Sequence, residues 1–237
     1  MWKMKLKQHI FILFISLVFL QAPYVFAQQD EPVDSIDSRE KYGLRVGIDL
    51  AKPLRTLLDD DYRGFEINGD YRVYENYYLA AELGNEKDLI VEENVTANGS
   101  GSYIKLGVDY NAYRNWKGMQ NSIYVGIRYA FASFSTELEE YTIYTRNPYF
   151  ERDTRIENQE YNNLTANWLE MQLGIKVEVL NNLYLGAHVQ LKRMIGQSTP
   201  GNFDNLYVPG FNRTYDSSSI GVGYGYAISY LIPLYKL

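Results

Sequence analysis

Residues Leu169 to Val179 read Leu-Glu-Met-Gln-Leu-Gly-Ile-Lys-Val-Glu-Val, and apolar and polar side chains alternate without a break. A period of two belongs to an extended strand with one apolar and one polar face. The alternation recurs in seven other segments: Tyr42–Leu50, Phe65–Val73, Tyr77–Leu83, Ile104–Asn111, Ile123–Phe131, Leu183–Lys192 and Ile220–Tyr230. No proline falls at a strand centre, and Pro233 is read as lying beyond the last strand. An even strand count with segments near ten residues fits tilted crossings of a bilayer.

The connections alternate as well. Strands two and three meet around Tyr74-Glu75-Asn76, six and seven around Leu180-Asn181-Asn182, and four and five across roughly Tyr113–Asn121. The others are long: Ala51–Gly64, Gly84–Gly101, Thr136–Thr165 and Gly196–Ser218, with no helix-length periodic segment in any of them. The third is long enough for its flanking strands to continue as a hairpin. The expected fold is all-β: an eight-stranded antiparallel up-and-down transmembrane β-barrel with short periplasmic turns and long extracellular loops.

The start of the chain agrees with export. Lys3, Lys5 and Lys7 precede an apolar run from Ile10 to Leu20, and Val25-Phe26-Ala27 offers a cut before Gln28. This is the pattern of a secretory signal peptide over residues 1–27. Residues 28–41, acidic and aperiodic, read as a flexible periplasmic leader, and 42–237 as the barrel. Losing the three lysines takes the formal charge from −6 to −9, a poor match for nucleic acid. The absence of cysteine excludes disulfides, thiolate metal sites, cysteine nucleophiles and a lipoprotein anchor.

Alternation does not say which face points inward. A soluble lipocalin-like barrel would hold an apolar ligand on its apolar face. Glycines on the polar faces favour the opposite arrangement, because a crowded eight-strand lumen needs them beside long side chains. So does charge balance: Arg45, Arg72, Lys105, Arg128, Lys176 and Lys192 oppose Asp49, Glu66, Asp70, Glu82, Asp109, Glu170 and Glu178. Such a set neutralises itself in a closed interior, where an unpaired charge is costly. Aromatics near strand ends (Tyr42, Tyr71, Tyr74, Tyr77, Tyr110, Trp116, Tyr129, Phe131, Tyr230) suit interfacial girdles.

Chemistry is sparse. His188 is the one histidine after the cut and faces the polar side by parity, near Gln190 and Lys192. It reads either as a hydrogen-bonded lumen residue or as the general base of a lipid-modifying enzyme, but no nucleophile motif accompanies it. Asp59, Asp60 and Asp61 are the one candidate metal cluster. They lack EF-hand spacing and are offset by Lys52, Arg55 and Arg63, so a solvated loop is expected. Arg193, at the outer end of the seventh strand, could meet a lipid phosphate, as could any surface arginine.

Gly43-Leu44-Arg45-Val46-Gly47-Ile48-Asp49-Leu50, Leu57-Leu58-Asp59-Asp60-Asp61-Tyr62-Arg63-Gly64-Phe65-Glu66 and Val125-Gly126-Ile127-Arg128-Tyr129 resemble an uncharacterised family of Bacteroidota outer-membrane barrels. That family is a domain of unknown function with small OmpA/OmpX-like barrels. The resemblance covers Tyr42 to the C-terminus and implies location and barrel form, with no activity to carry over. Asp34-Ser35-Ile36 resembles an O-glycosylation triplet of that phylum. Barrels of this kind commonly finish on an aromatic residue, whereas this chain ends Pro233-Leu234-Tyr235-Lys236-Leu237, which leaves Tyr230 and Tyr235 as candidates for that signal.

The expectation is a small, non-catalytic barrel of the cell outer membrane with a side-chain-filled, non-conducting lumen and a structural, envelope or surface-interaction role. No cofactor is expected. The expected partners are outer-membrane lipid and lipopolysaccharide, the outer-membrane assembly machinery and a surface partner met through the long loops. The alternatives are the His188 enzyme and the soluble periplasmic binder.

Overall fold

Wherever apolar and polar residues alternate, the chain is extended. In the computed structural model the described residues are 41–113, 120–143, 149, 153–201, 203–215 and 217–236. The expected signal peptide, residues 28–40 of the leader, the Asp34-Ser35-Ile36 triplet and Trp116 lie outside the described residues. The long strands are β1 (Lys41–Asp49), β2 (Tyr62–Tyr74), β3 (Tyr77–Glu92), β4 (Val95–Asn111), β5 (Ser122–Ile143), β6 (Asp153–Leu180), β7 (Leu183–Gln197) and β10 (Ile220–Lys236). A two-stranded hairpin, β8 (Tyr207–Val208) with β9 (Asn212–Arg213), stands between β7 and β10.

Sequence neighbours among the eight long strands pair antiparallel, and β1 pairs with both β2 and β10, so the sheet closes into a ring. One end carries short turns. β2 and β3 are joined at Glu75–Asn76, and β6 and β7 at Asn181–Asn182, with Asn182 in the left-handed region (φ 65°) that asparagine tolerates. The apolar face of each strand is the exposed one. Leu44, Val46, Ile67, Leu79, Leu83, Leu106, Ile127, Leu173, Leu191 and Val222 all point outward. This is the reverse of the soluble binder's arrangement.

Several expectations need correction. Gly84–Gly101 is not a long loop: β3 and β4 run on to a two-residue turn at Glu93–Asn94. Their parity continues unbroken, with Glu86, Asp88 and Ile90 inward and Lys87 and Val91 outward. The expected ends fell early because both faces turn polar there, and alternation is visible only where hydrophobicity contrasts. The segment 51–64 contains a helix, α1 (Ala51–Leu58), eight residues long and so too short to display helical periodicity convincingly. The expected hairpin extension of the third connection is present, with β5 reaching 22 residues and β6 28.

The β1–β10 seam holds two further corrections. β10 continues through Pro233, which pairs with Gly43 beside a register shift at Tyr42/Gly43. The missing proline N–H is tolerated at such a bulge. The same shift turns Tyr42 inward, where it is buried under the Arg72 guanidinium (4.6 Å to the ring), so it does not belong to an outward girdle.

Candidate functional site

Among the described residues, buried ionisable side chains converge in the ring's interior. On β2, β3, β4, β5 and β6 the inward positions place Glu66, Glu82, Lys105, Arg128 and Glu170 at adjoining heights, because cross-strand pairs such as Glu82–Lys105 and Arg128–Glu170 are directly opposite. Lys105 Nζ lies 2.9 Å from Glu82, 3.4 Å from Glu170 and 3.7 Å from Glu66. Arg128 joins Glu82 (3.3 Å) to Asp109 (2.7 Å). Lys176 joins Asp70 (2.7 Å) to Asp109 (3.6 Å), and Arg45 reaches Asp70 (3.4 Å) while stacking on Tyr184 (4.4 Å). Nine of the fourteen residues singled out by sequence thus form one connected cluster: Arg45, Glu66, Asp70, Glu82, Lys105, Asp109, Arg128, Glu170 and Lys176.

The other five lie at its margins. Asp49 accepts the Lys52 backbone N–H (3.0 Å) at the start of α1. Arg72 donates to the Glu75 carbonyl (2.6 Å), and Glu178 accepts the Asn182 N–H (2.9 Å), both at the short-turn end. His188 meets Gln190 through its Nε2 at 2.8 Å. Lys192 donates to the Gly210 carbonyl (2.8 Å).

Inner glycines leave the room these chains occupy. A Cβ on Gly174 would stand 2.6 Å from the Tyr124 ring, and one on Gly126 2.2 Å from Asp109 Oδ1. The space left beside Glu66, Glu82, Arg128, Lys176 and His188 is a cavity of about 30 Å³, enough for about one or two waters.

A second layer, unforeseen from sequence, closes the long-loop end. Tyr103, Ala130, Ala132, Phe134, Leu164, Ala166 and Trp168 line the wall there, and Val208 and Phe211 of the last connection pack into them. Phe211 meets Trp168 edge-on at 5.8 Å. The inserted segment is tethered by Glu86, which accepts from Tyr207 Oη (2.7 Å), the Gly210 N–H (2.7 Å), Tyr62 Oη (3.2 Å) and Lys52 Nζ (2.5 Å). Burial disfavours the charged Lys52, but Glu86 and Glu66 beside it outweigh that and hold its pKa well above the ordinary lysine value. Gly210 turns with φ +79° against the Tyr103 ring, a conformation and a closeness suited to glycine. Continuing β3's parity past Leu83 would have found Glu86; nothing in the aperiodic segment 198–219 announces Phe211 as an interior residue.

The two remaining chemical candidates do not assemble. Asp59 caps α1, holds the Asp61 N–H (3.2 Å) and faces Arg55 (3.4 Å). Among the described residues no group of three or more His, Asp or Glu side chains is placed to hold a metal ion. The described side-chain partner of His188 is Gln190, not a serine.

No curated protein matches the chain. Two solved structures of Ail, the attachment invasion locus protein of Yersinia pestis, one with the heparin analogue sucrose octasulfate bound, are distantly alike. They share 7% and 10% identity, cover 81% of this chain and 97% of theirs, and superpose with a TM-score of 0.39. The family comparison reaches much further along the sequence: residues 8–237 match a domain of unknown function, DUF6048, and the chain belongs to that family.

Proposed function

We propose that this protein is a small, non-catalytic outer-membrane β-barrel with an envelope or surface-interaction role, its short turns in the periplasm and its long-loop end outside the cell. One observation carries the reading: apolar side chains cover the outside of the ring while Lys105, Arg128, Glu82, Glu170 and Asp109 are buried within it. In water that arrangement exposes apolar surface and desolvates charge together, and it becomes favourable only where lipid surrounds the outer face. The cavity of about 30 Å³ supports a lumen that does not conduct. The resemblance of Gly43–Leu50 supports a Bacteroidota source, and delivery by a signal peptide and the barrel assembly machinery completes the reading. Partners meet the protein at the long-loop end, since a rigid barrel leaves its variable chemistry to loops.

Fractionation tests this directly. The folded protein is expected in the outer-membrane fraction, migrating faster in detergent gels before boiling than after. Recovery in the soluble periplasm, or large steady channels in planar bilayers, would refute it.

A further inference from the structure

Outward-facing residues change character abruptly just above the apolar belt of β2–β5. Phe65, Leu83, Ile104 and Phe131 are exposed and apolar. Two residues beyond Phe65 on β2, and four beyond Leu83, Ile104 and Phe131 on β3–β5 (about 13 Å at the usual strand rise), the outward row reads Arg63, Lys87, Ser100 and Ser135, joined by the pairs Arg63–Lys87, Lys87–Ser100 and Ser100–Ser135. Between the two rows lie Asn85 and Ser102, hydrogen-bonded to each other at 2.9 Å. Arg63 and Lys87 are directly opposite, both exposed, and like charges so placed repel. No carboxylate relieves them: among the described residues neither has an ion pair, the inward carboxylates Glu86 and Asp88 are taken by Lys52 and Arg55, and Asp59 faces Arg55.

We propose that this row binds the phosphate of an anionic outer-leaflet lipid, whose acyl chains lie along Phe65, Ile67, Leu83 and Ile104. This rests on the outer-membrane reading above. Guanidinium, ammonium and the adjoining Ser100 hydroxyl, which also meets Ser135 Oγ at 3.3 Å, match a phosphate's several acceptor oxygens. The strip stands at the height where a lipid with its tails on the apolar belt carries its headgroup. Beside it, α1 is fastened to β2 by the Thr56 hydroxyl, which accepts the Gly64 N–H at 3.0 Å, and it leaves Leu54, Leu57 and Leu58 exposed.

The test is native mass spectrometry of the full-length protein released from detergent with bisphosphorylated lipid A, with fully dephosphorylated lipid A, or with inorganic phosphate. The phosphorylated lipid is expected to bind, and the other two to bind at least tenfold more weakly. Arg63→Gln/Lys87→Gln should reduce its binding about 30-fold, since each cation near an anionic lipid surface is worth about a factor of five. Arg193→Gln, an outward cation on β7, should change it less than twofold. Equal binding of the dephosphorylated lipid, tight binding of phosphate alone, or an undiminished double variant would overturn the proposal. Heat-modifiable migration of the same samples separates the two readings. A folded, membrane-inserted protein without phosphate preference refutes the lipid site alone, whereas a protein that does not insert refutes both.

Discussion

Replacing Lys105 with methionine removes the ammonium at the centre of the interior while keeping most of its volume. Lys105 is 1% exposed and faces three carboxylates, Glu82, Glu170 and Glu66, at 2.9, 3.4 and 3.7 Å. After the change Glu82 still has Arg128 at 3.3 Å and Glu66 still has Lys52 at 3.6 Å. Glu170 keeps hydrogen bonds only from neutral donors, the Gln172 amide (2.7 Å) and the Trp168 indole N–H (3.3 Å), with Lys192 its cross-strand neighbour but outside ion-pair contact. Stranding one buried charge costs about 3–5 kcal/mol. At about 2–4 °C per kcal/mol for a domain of this size, the temperature that converts the compact gel band to the unfolded one should fall by roughly 6–20 °C. Adding Glu170→Gln should then restore part of the loss, with a coupling of about 1–3 kcal/mol. A Lys105→Met protein melting within about 2 °C of the parent, or a double variant showing simple additivity, would refute the charge-paired interior.

Surface protease on intact cells should spare Gly84–Gly101, because β3 and β4 are paired through that span; rapid cleavage there would contradict the extended hairpin. Phe211→Ala should destabilise the fold by about 3–5 kcal/mol, read by the same gel transition, since Phe211 is 2% exposed against Trp168; an unchanged midpoint would remove it from the interior. Replacing residues 204–213 with a Gly-Ser linker strips the upper layer and leaves the Lys105–Arg128 layer in place, so planar-bilayer recordings should stay without steady channels, and large openings would show that the loop alone seals the lumen. His188→Ala should leave the lipid A profile of the host unchanged; a lost modification would revive the enzymatic reading.

Much of this fold was legible because outward-facing and interior residues contrast strongly within each alternating segment. Inward parity for Arg45, Glu82, Lys105 and Arg128 follows from it without any structure. Legibility ends where contrast does. Asn85 and Lys87 outside, with Gly84 and Glu86 inside, look like loop to a hydrophobicity test, yet the β3–β4 pairing runs through them. Tyr42 shows the opposite failure: parity is clear, but a register shift at the ring's closure reverses it. The upper layer was hidden for a third reason. Phe211 owes its interior position to the wall of β4–β6, where its ring partner Trp168 is 43 positions away, a tertiary relation no local period encodes.

β3 shows why these features hold together. Between Leu79 and Asp88 its inward residues include Glu82, Glu86 and Asp88, and its outward ones Leu79, Leu83 and Lys87. Slipping β3 by one residue against β2 and β4 would turn every one of them over. Glu82 would leave Lys105 and Arg128 for the apolar outer face, Glu86 would release Tyr207 and Gly210, and Leu79 and Leu83 would enter the charged layer. Each exchange strands a charge or an apolar group, so the register that builds the lower layer also fixes the tether of the upper one. It also brings Lys87 opposite Arg63 on the outside. The like-charged pair is therefore a cost carried by a register that the interior enforces, and an anion at that height would offset it.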